Sequence, residues 1–496
     1  MRMALPAALY SVAQVREMDR RAIAAGTPGY TLMKRAGEGA LRVLRSRWPT
    51  AMNIAVVCGG GNNGGDGYVL ARFAQAAGLA VTVLAATEPA RLKGEARLAY
   101  NDLVASDIPV RRYTQAALID AEVVVDALLG IGATAPLSEP LQAVIRELNA
   151  CGRPVFALDL PSGLDGDSGV AAAVVRASAT VTFVALKTGL LIGDGPEYTG
   201  ALHFDDLEIA TPDDRAVPPR LVRLTDADIA QALPRRARSA HKASFGRVLV
   251  IGGGTGMPGA VRLAAEAALR VGAGLVSVAS RPEHLAAIVG ARPELMFHAL
   301  GDASSLPELL RHADVVAMGP GLGRSAWSQQ IFDTVLAERP AGQPLIVDAD
   351  ALNLLAALPQ LRRCDEWILT PHPGEAGRLL AQTAAQVQAD RLGALEALVA
   401  NRGGIVVLKG AGTLVGAAGR QPALCERGNP GMAIPGMGDV LTGTIAGILA
   451  QCGDPWLSAR AAVMAHACAG DSLARAGERG LLAGEVVLEL RNWVNR

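Results

Sequence analysis

Short runs of consecutive apolar residues alternate with helical patterns through the first half of the chain. The run at 53–58 predicts a buried strand, and residues 68–77 follow it with their apolar side chains on one helical face. Further strands are predicted at 81–85, 123–128, 154–160 and 180–186. Continuous apolar strands separated by helices are typical of a parallel sheet covered on both faces, so the first half is predicted to be a three-layer α/β domain.

The same alternation returns after a proline-rich, charged stretch at about 210–240. We interpret that stretch as an interdomain connection with one short helix near 226–233; the alternative is a long surface excursion of a single domain. Beyond it, strands are predicted at 247–252, 275–280, 314–318, 344–348, 367–370 and 404–409, a helix at 261–271, and nearly continuous helix from 439 onward. We therefore expect a domain at 1–215, a connecting segment at 216–240 and a second α/β domain at 241–496.

Composition narrows the classes of function. The 496 residues suffice for two large domains, and 47 basic against 47 acidic residues leave no net charge to recruit nucleic acid or an anionic membrane. The six cysteines are scattered without metal-ligand spacing, as reduced thiols of a cytoplasmic protein would be. We find no convincing signal peptide and no apolar segment of about 18 residues. A cytoplasmic homo-oligomer that binds neither nucleic acid nor membrane is expected.

Three loops of the first half follow predicted strands and carry acidic residues. The segment 59–67, GGGNNGGDG, lies between a strand and a helix, where glycines allow a ligand to approach the backbone and the helix N-terminus offers free N–H groups to phosphate. Further loops occupy 126–132, DALLGIG, and 159–169, DLPSGLDGDSG. Each aspartate alone could be an N-cap or turn residue. Ligands bind beyond the carboxyl ends of parallel strands, so three such loops together favour one binding crevice.

These three motifs, with Lys187 in FVALKTG, closely resemble the NAD(P)HX epimerase family over roughly residues 10–215. The resemblance implies a Rossmann-like domain that interconverts the R and S forms of nicotinamide cofactors hydrated at C6. It implies a potassium ion held by the side-chain oxygens of Asn63, Asp126 and Ser162. The substrate-binding residues that it implies are Asn62, Asn63, Gly64, Gly65, Asp66, Gly130, Ile131, Gly132, Ala133, Thr134, Ala135, Pro136 and Asp159.

Asp159 is our hypothesis for the acid–base residue of this site, with Lys187 nearby. The reaction needs a group that takes and returns a proton at the C6 hydroxyl while positive charge develops on the ring. A buried carboxylate beside a lysine could do both.

The second half carries its strongest motif at 429–439, NPGMAIPGMGD, which leads into a helix with small residues on one face. Successive N–H groups of residues 436–439 would form an anion-binding nest at the positive end of that helix. Asp439 lies where a transferred phosphoryl group and an attacking hydroxyl would meet, and a carboxylate there would be the catalytic base. The turn resembles that of the ribokinase superfamily; the alternative is a helix merely capped by Asp439 after a flexible loop.

Companion motifs follow the predicted strands of this half: HKASFGRVLVIGGG at 241–254, GPGLG at 319–323, DADALN at 348–353, TPHPGE at 370–375 and VLKG at 407–410. In this order they resemble the NAD(P)HX dehydratase family over about residues 225–493. That resemblance implies a ribokinase-like α/β domain that phosphorylates the C6 hydroxyl and expels phosphate. It also implies the use of ADP, with Mg²⁺, as in epimerase–dehydratase fusions, which are bifunctional NAD(P)H-hydrate repair enzymes.

The dehydratase resemblance also assigns residues. It implies substrate contacts from Ala260, Gly323, His372 and Asp439, and a nucleotide cradle formed by Lys409, Gly410, Ala411, Gly412, Thr413 and Gly438. Asp348 and Asp350 could be solvated turn residues or could help to arrange Mg²⁺, and both interpretations stay open. Glu375 is expected to be a charge at a helix N-terminus, favoured by the helix dipole, rather than a group that orients a metal-bound water.

Other functions are weighed against this hypothesis. The glycine–aspartate turn alone would also suit a ribokinase-superfamily kinase of a small hydroxylated heterocycle, and the first half could be a non-catalytic cofactor sensor. The presence of both Asp159 and Lys187 argues against the sensor. The sequence contains no P-loop motif, no histidine–cysteine metal cluster and no G-x-S-x-G elbow, which argues against P-loop NTPases, zinc hydrolases and serine hydrolases.

Overall fold

The computed structural model describes residues 5–132, 137–209, 217–358 and 363–495. The chain forms two compact units, Met1–Leu221 and Val222–Arg496. Among the described residues, no helix has both the length and the apolar character needed to span a bilayer.

The first unit is built on a parallel sheet with helices on its faces. Its strands are β1 Ala8–Tyr10, β2 Asn53–Cys58, β3 Ala80–Ala85, β4 Val110–Arg112, β5 Val123–Ala127, β6 Val155–Leu158, β7 Ala179–Phe183, β8 Leu186–Lys187 and β9 Ala201–Asp205. Its helices are α1 Val12–Ala24, α2 Gly29–Arg47, α3 Asn62–Ala76, α4 Gly94–Val104, α5 Glu139–Ala150 and α6 Gly195–Thr199. The main sheet has the order β4-β3-β2-β5-β6-β7-β9, and β1 pairs in parallel with β8. The five strands predicted for this half are confirmed.

Helix α3 begins earlier than predicted. The sequence predicts a loop over 59–67 and a helix from residue 68, but the helix begins at Asn62. Its glycines lie against neighbouring segments: a Cβ at Gly64 would be 2.2 Å from the carbonyl oxygen of Gly59, and one at Gly67 would be 2.6 Å from Cβ of Ala127. Close packing against the sheet therefore holds in helical form a sequence with low helix propensity.

The second unit is a larger sheet, also covered by helices. Its strands are β10 Leu221–Arg223, β11 Arg247–Ile251, β12 Leu275–Ser280, β13 Met296–Ala299, β14 Val315–Met318, β15 Leu345–Val347, β16 Trp367–Leu369, β17 Ile405–Leu408, β18 Thr413–Ala417 and β19 Ala423–Cys425. Its helices are α7 Asp226–Ala232, α8 Pro258–Arg270, α9 Leu285–Val289, α10 Leu306–His312, α11 Ala326–Glu338, α12 Ala349–Ala356, α13 Pro373–Leu380, α14 Ala384–Ala389, α15 Arg391–Arg402, α16 Met437–Cys452, α17 Pro455–Ala474 and α18 Ala483–Trp493.

The strand order of this unit is β13-β12-β11-β14-β15-β16-β17-β18-β19-β10. Strands β11 to β17 pair in parallel, whereas β17, β18 and β19 pair antiparallel. The six strands predicted here and the helical character of the last residues are confirmed. The prediction missed β13, β18 and β19. The last two follow β17 so closely that no helical pattern separates them.

Part of the expected connecting segment belongs to the fold of the second unit. Val222 pairs with Ala423, and α7, close to the helix predicted at 226–233, packs on α17. The interpretation of 210–240 as a connection did not include β10, because three residues are too short to show a period. The domain limits 1–215 and 241–496 stay a prediction.

Helix α16 lies unusually close to α8, and this approach positions the turn before α16. A Cβ at Gly443 would be 1.8 Å from the carbonyl oxygen of Ala264, and one at Gly447 would be 2.6 Å from that of Ala268. The small residues on one face of the predicted helix therefore allow backbone contact with α8. Thr442 in the second turn of α16 donates to Asp348, which directly follows β15, so the N-terminal part of α16 lies near the carboxyl end of that strand.

Candidate functional site

A cavity of 620 Å³ opens at the carboxyl ends of the central strands of the first unit. Its lining brings together the following residues that the sequence assigns to the substrate or to acid–base chemistry: Asn62, Asn63, Asp66, Gly130, Ile131, Gly132, Asp159 and Lys187. Gly64 and Gly65 lie in the same first turns of α3. Ala133, Thr134, Ala135 and Pro136 lie outside the described residues.

Lys187 and Asp159 form a buried ion pair at the wall of this cavity. Besides Oδ1 of Asp159, the ammonium donates to Oγ1 of Thr182 at 3.0 Å and to the carbonyl oxygen of Phe183 at 2.7 Å. The other carboxylate oxygen of Asp159 accepts from the amide of Ile131 at 3.4 Å. One carboxylate therefore links the lysine to the loop that is expected to hold the substrate.

The backbone at Asp159 is unusual. Its φ is +64°, in the left-handed region, and the amide of Leu160 donates to the carbonyl oxygen of Leu158 across it at 2.8 Å. This combination is a γ-turn of the strained kind, and such strain is concentrated at functional sites. Val184, which lines the same cavity, has φ +68°, and Ala185 donates to Phe183 across it.

The side chains of Asn63, Asp126 and Ser162 lie around residues 128 and 129, beside the cavity. Asp126 is fully buried without an ion-pair partner among the described residues. It accepts from Ser162 Oγ at 2.6 Å and from the amides of Ser162 and Leu128 at 2.8 and 3.2 Å. Burial raises the pKa of Asp126 to about 6. Oδ1 of Asn63 is buried and has no hydrogen-bond partner. A buried carboxylate without a cationic partner and an unsatisfied amide oxygen fit a hard cation such as potassium.

Two further acidic residues that no motif of the sequence indicates also line this cavity: Glu95 on α4 and Asp19 on α1. Burial raises the pKa of Asp19 to about 6; the ammonium of Lys187 lowers it and the negative charge of Asp159 raises it by smaller amounts. Burial and nearby carboxylates also raise the pKa of Asp66. Asp19 lies in a charged helical segment, MDRR, which from sequence alone is indistinguishable from a solvated helix face.

In the second unit, the turn before α16 has the geometry expected of an anion nest. Gly436 is the N-cap of α16 with φ +92°, and Asp439 lies in the first helical turn. Among the described residues, the amides of Gly438 and Asp439 have no acceptor. The alternative of Asp439 as a simple cap fails, because Gly436 occupies the cap position and no side chain caps the helix.

An ion pair between Lys409 and Asp348 borders this turn. Nζ of Lys409 lies 2.8 Å from Oδ1 of Asp348, and a Cβ at Gly438 would lie 3.2 Å from the same Nζ. Asp348 also accepts from Thr370 and Thr442, each at 2.8 Å. Asp348 is therefore a buried, fully bonded carboxylate, and the interpretation of it as a solvated turn residue was wrong.

Asp439 lies in the field of these groups. Burial raises the pKa of Asp439 to about 7, and the negative charge of Asp348 raises it further than the ammonium of Lys409 lowers it. A carboxyl group with a pKa near neutrality can exchange a proton with a bound hydroxyl at physiological pH, which is the property that a general base needs.

The remaining expected substrate residues lie on loops that lead into helices. His372 is the N-cap of α13 and is half-exposed, and its Nδ1 accepts from the amide of Gly374 at 3.0 Å. Ala260 lies in the first turn of α8, close to Gly321. The amide of Gly323 donates to Asp350 at 2.8 Å, so that Asp350 holds the loop of Gly323.

Glu375 occupies the helix-terminal position that the sequence predicts. It completes a capping box by accepting from the amide of His372 at 2.8 Å, and it lies 3.9 Å from Nζ of Lys409. Burial raises its pKa to about 7. No group of three or more histidine, cysteine, aspartate or glutamate side chains suited to a metal ion occurs in the described part of the chain.

The expected nucleotide cradle, Lys409 to Thr413, is the tight turn between β17 and β18. Gly410 and Gly412 have φ +136° and +68°. Within the described ranges, the amides of Gly410, Ala411 and Gly412 have no hydrogen-bond acceptor. This turn and the turn before α16 meet at Lys409 and Gly438.

Comparison with known proteins agrees with both halves of this description. A family described as NAD(P)H-hydrate dehydratase matches residues 248–491, and one described as YjeF-related protein N-terminus matches residues 29–189. A ribokinase-like superfamily protein from Enterococcus faecalis matches with a TM-score of 0.52 and 32% identity, covering 56% of this chain and 96% of that one. The predicted α/β fold class, with a ribokinase-like second domain, is confirmed.

Two curated relatives span nearly the whole chain. The bifunctional NAD(P)H-hydrate repair enzyme Nnr of Coxiella burnetii is 48% identical over 489 residues, covering 98% of this chain and 99% of that one. The enzyme of the same name from Escherichia coli strain K12 is 42% identical over 494 residues, covering 99% of this chain and 95% of that one. The chain therefore belongs to the family of bifunctional NAD(P)H-hydrate repair enzymes.

Proposed function

We propose that the first unit interconverts the two C6 epimers of hydrated NADH and NADPH, and that the second unit dehydrates the S epimer with ADP. The products are NADH or NADPH, AMP and phosphate. Because the second reaction accepts one epimer, the first supplies it from the other, and both damaged forms return to intact cofactor.

In the epimerase reaction, the ammonium of Lys187 supplies a proton that Asp159 passes to the C6 hydroxyl, and the hydroxyl leaves as water while the ring nitrogen shares the positive charge. Water returns to the opposite face of C6 and gives a proton back through Asp159 to Lys187. The ammonium of Lys187 keeps Asp159 in place, because the ammonium is itself fixed by hydrogen bonds to Thr182 and to the carbonyl oxygen of Phe183. The negative charge of Asp159 stabilises the cationic ring.

In the dehydratase reaction, Asp439 accepts the proton of the C6 hydroxyl as that oxygen attacks the terminal phosphorus of ADP. The free amides before and within the first turn of α16, with those of the 409–413 turn, hold the phosphoryl oxygens. Expulsion of phosphate from C6 with loss of a proton from C5 then restores the ring double bond. His372, Gly323 and Ala260 are proposed to contact the hydrated cofactor beside Asp439.

Two ions belong to this proposal. Asn63, Asp126 and Ser162 would hold potassium, whose charge neutralises Asp126 and orders the loop at 128–132. Mg²⁺ would enter the site bound to the phosphate oxygens of the nucleotide, because Mg²⁺ usually has only one or two protein carboxylates as ligands in such sites. Asp348 and Glu375 are the nearest candidates, and both already bond to neighbouring groups.

The observation that carries the proposal is the position of Asp439, a carboxyl group with a pKa near neutrality at a helix N-terminus with free amides. The test is to mix the protein with hydrated NADH and ADP and follow the absorbance of the reduced nicotinamide. Return of the absorbance with release of AMP supports dehydration. A stable phosphorylated product would support the alternative, a kinase of a small hydroxylated heterocycle, which the near full-length relatives do not favour.

A further inference from the structure

Arg391, the first residue of α15, is among the largest fully buried side chains of the protein, at 2% exposure. Burial lowers its pKa to about 10, so it is charged at neutral pH. In the part of the chain that the structure describes, no carboxylate pairs with it. A buried charge without a counterion destabilises the folded protein. The presence of Arg391 at this position is therefore explained better by a function than by the stability of the fold.

Those contacts are almost all with one turn. Nη2 of Arg391 lies 3.3 Å from the carbonyl oxygens of Leu408 and Lys409 and 3.1 Å from that of Gly412. Nη1 donates to the side chain of Gln388 at 2.6 Å. The guanidinium thus gathers three carbonyls of the turn between β17 and β18 on one side.

The amides of the same turn are left without partners. Those of Gly410, Ala411 and Gly412 have no acceptor among the described residues, although every carbonyl that Arg391 binds is satisfied. Gly410 also shows how close the arginine lies, because a Cβ there would be 2.9 Å from Nη1. A turn whose carbonyls are held inward and whose amides are free is the arrangement that binds phosphate oxygens.

We propose that Arg391 is the positioning residue of the nucleotide turn: it holds the carbonyls of Leu408, Lys409 and Gly412 so that the amides of residues 410–412 remain free to bind the phosphates of ADP. This inference rests on the proposed function of the second unit. It assigns Arg391 no contact with the nucleotide; the arginine acts through the turn, and its charge adds to the positive potential there.

The test compares Arg391→Met and Arg391→Lys with Arg402→Met in the full chain. Arg402 is a matched control: it ends the same helix, is 5% exposed, and donates to the carbonyl oxygen of Leu379 at 3.2 Å, far along α15 from the turn. Arg391→Met should raise KM for ADP about tenfold or more, with KM for hydrated NADH and kcat within about twofold of the parent. Arg391→Lys keeps the charge but has fewer donors, and should give a smaller rise.

Epimerase activity of the same chains shows that the first unit is intact, and the unfolding temperature reports the second. An unchanged KM for ADP in folded Arg391→Met, or an equal rise in Arg402→Met, would overturn the inference. Should Arg391→Met not fold, Arg391→Lys decides by the same criterion. If the parent protein shows no dependence on ADP, the proposed function itself fails. If the parent needs ADP and Arg391→Met binds it normally, only the role of Arg391 fails.

Discussion

Nζ of Lys409 lies 2.8 Å from Oδ1 of Asp348, and this ion pair borders the turn that carries Asp439. The negative charge of Asp348 offsets the positive charge of Lys409. Burial and Asp348 therefore raise the pKa of Asp439 more than Lys409 lowers it. The pair thus keeps Asp439 basic enough to accept a proton while it holds Lys409 beside the nucleotide turn.

The pH dependence of dehydration should follow Asp439. Because its pKa is raised to about 7, kcat/KM should increase with pH through about 7 and level off above it. Glu375 titrates in the same range, so the profile should be repeated with Glu375→Gln. A profile of Glu375→Gln that is flat between pH 5 and about 8 would assign the dependence to Glu375 instead.

The contribution of Asp439 to the free energy of unfolding should decrease as pH rises, whereas its contribution to activity increases. A carboxyl group whose pKa is higher in the folded than in the unfolded protein contributes stability below the unfolded value of 3.8, and that contribution is lost as pH rises through about 7. Asp439→Asn should therefore melt at a higher temperature than the parent above neutral pH, and at a similar temperature in acid. Calorimetry at both pH values checks this, and a lower melting temperature for the variant above neutral pH would contradict it.

The Lys187–Asp159 pair should be costly to break from one side. Lys187→Met leaves the buried carboxylate of Asp159 without its counterion, and about 3–5 kcal/mol of unfolding free energy should be lost. The double variant Lys187→Met/Asp159→Asn should regain part of that loss, although neither variant should exchange epimers. Urea unfolding of the parent, both single variants and the double variant measures the coupling; purely additive effects would show that the pair does not act as a unit.

Potassium should activate the epimerase through Asp126. Asp126→Asn removes the only charge among the three proposed ligands, so the potassium concentration for half-maximal epimer exchange should rise about tenfold or more. Ser162→Ala removes one neutral oxygen and should have a smaller effect. Epimer exchange measured in potassium and in tetramethylammonium salts provides the comparison. An Asp126→Asn protein with the parent's response to potassium would place the ion elsewhere.

The close contact between α16 and α8 should tolerate no side chain at Gly443. A Cβ there would lie 1.8 Å from the carbonyl oxygen of Ala264, so Gly443→Ala should destabilise the second unit by about 2 kcal/mol or more. A Cβ at Gly484 of α18 would meet no atom within 4 Å, so Gly484→Ala, the control, should be neutral or stabilising. Equal unfolding temperatures for the two variants would show that α16 can move away from α8.

Much of the fold could be predicted because buried parallel strands are continuous apolar runs, as at Asn53–Cys58 and Val315–Met318. Strands of three residues such as β10 and β19 show no period and were missed. The start of α3 was misplaced because contacts distant in sequence, at Gly64 and Gly67, decide it.

Part of the candidate site could likewise be predicted from the sequence and part could not. Motifs placed the residues at the strand ends, but a single sequence could not decide whether Asp348 is solvated, since its partners Lys409, Thr370 and Thr442 come from other segments. Arg391 follows an aspartate at a helix start and looks like a surface residue. Only the three-dimensional structure shows that it is buried beneath the nucleotide turn.

The most direct measurement is the turnover of hydrated NADH with ADP by Asp439→Asn, with epimer exchange measured in the same preparation. Asparagine keeps the size and the position of the side chain but cannot accept the hydroxyl proton, so the rate of NADH formation should fall by at least about 100-fold while epimer exchange continues at the parent's rate. An Asp439→Asn protein that regenerates NADH as fast as the parent would show that another group takes the proton.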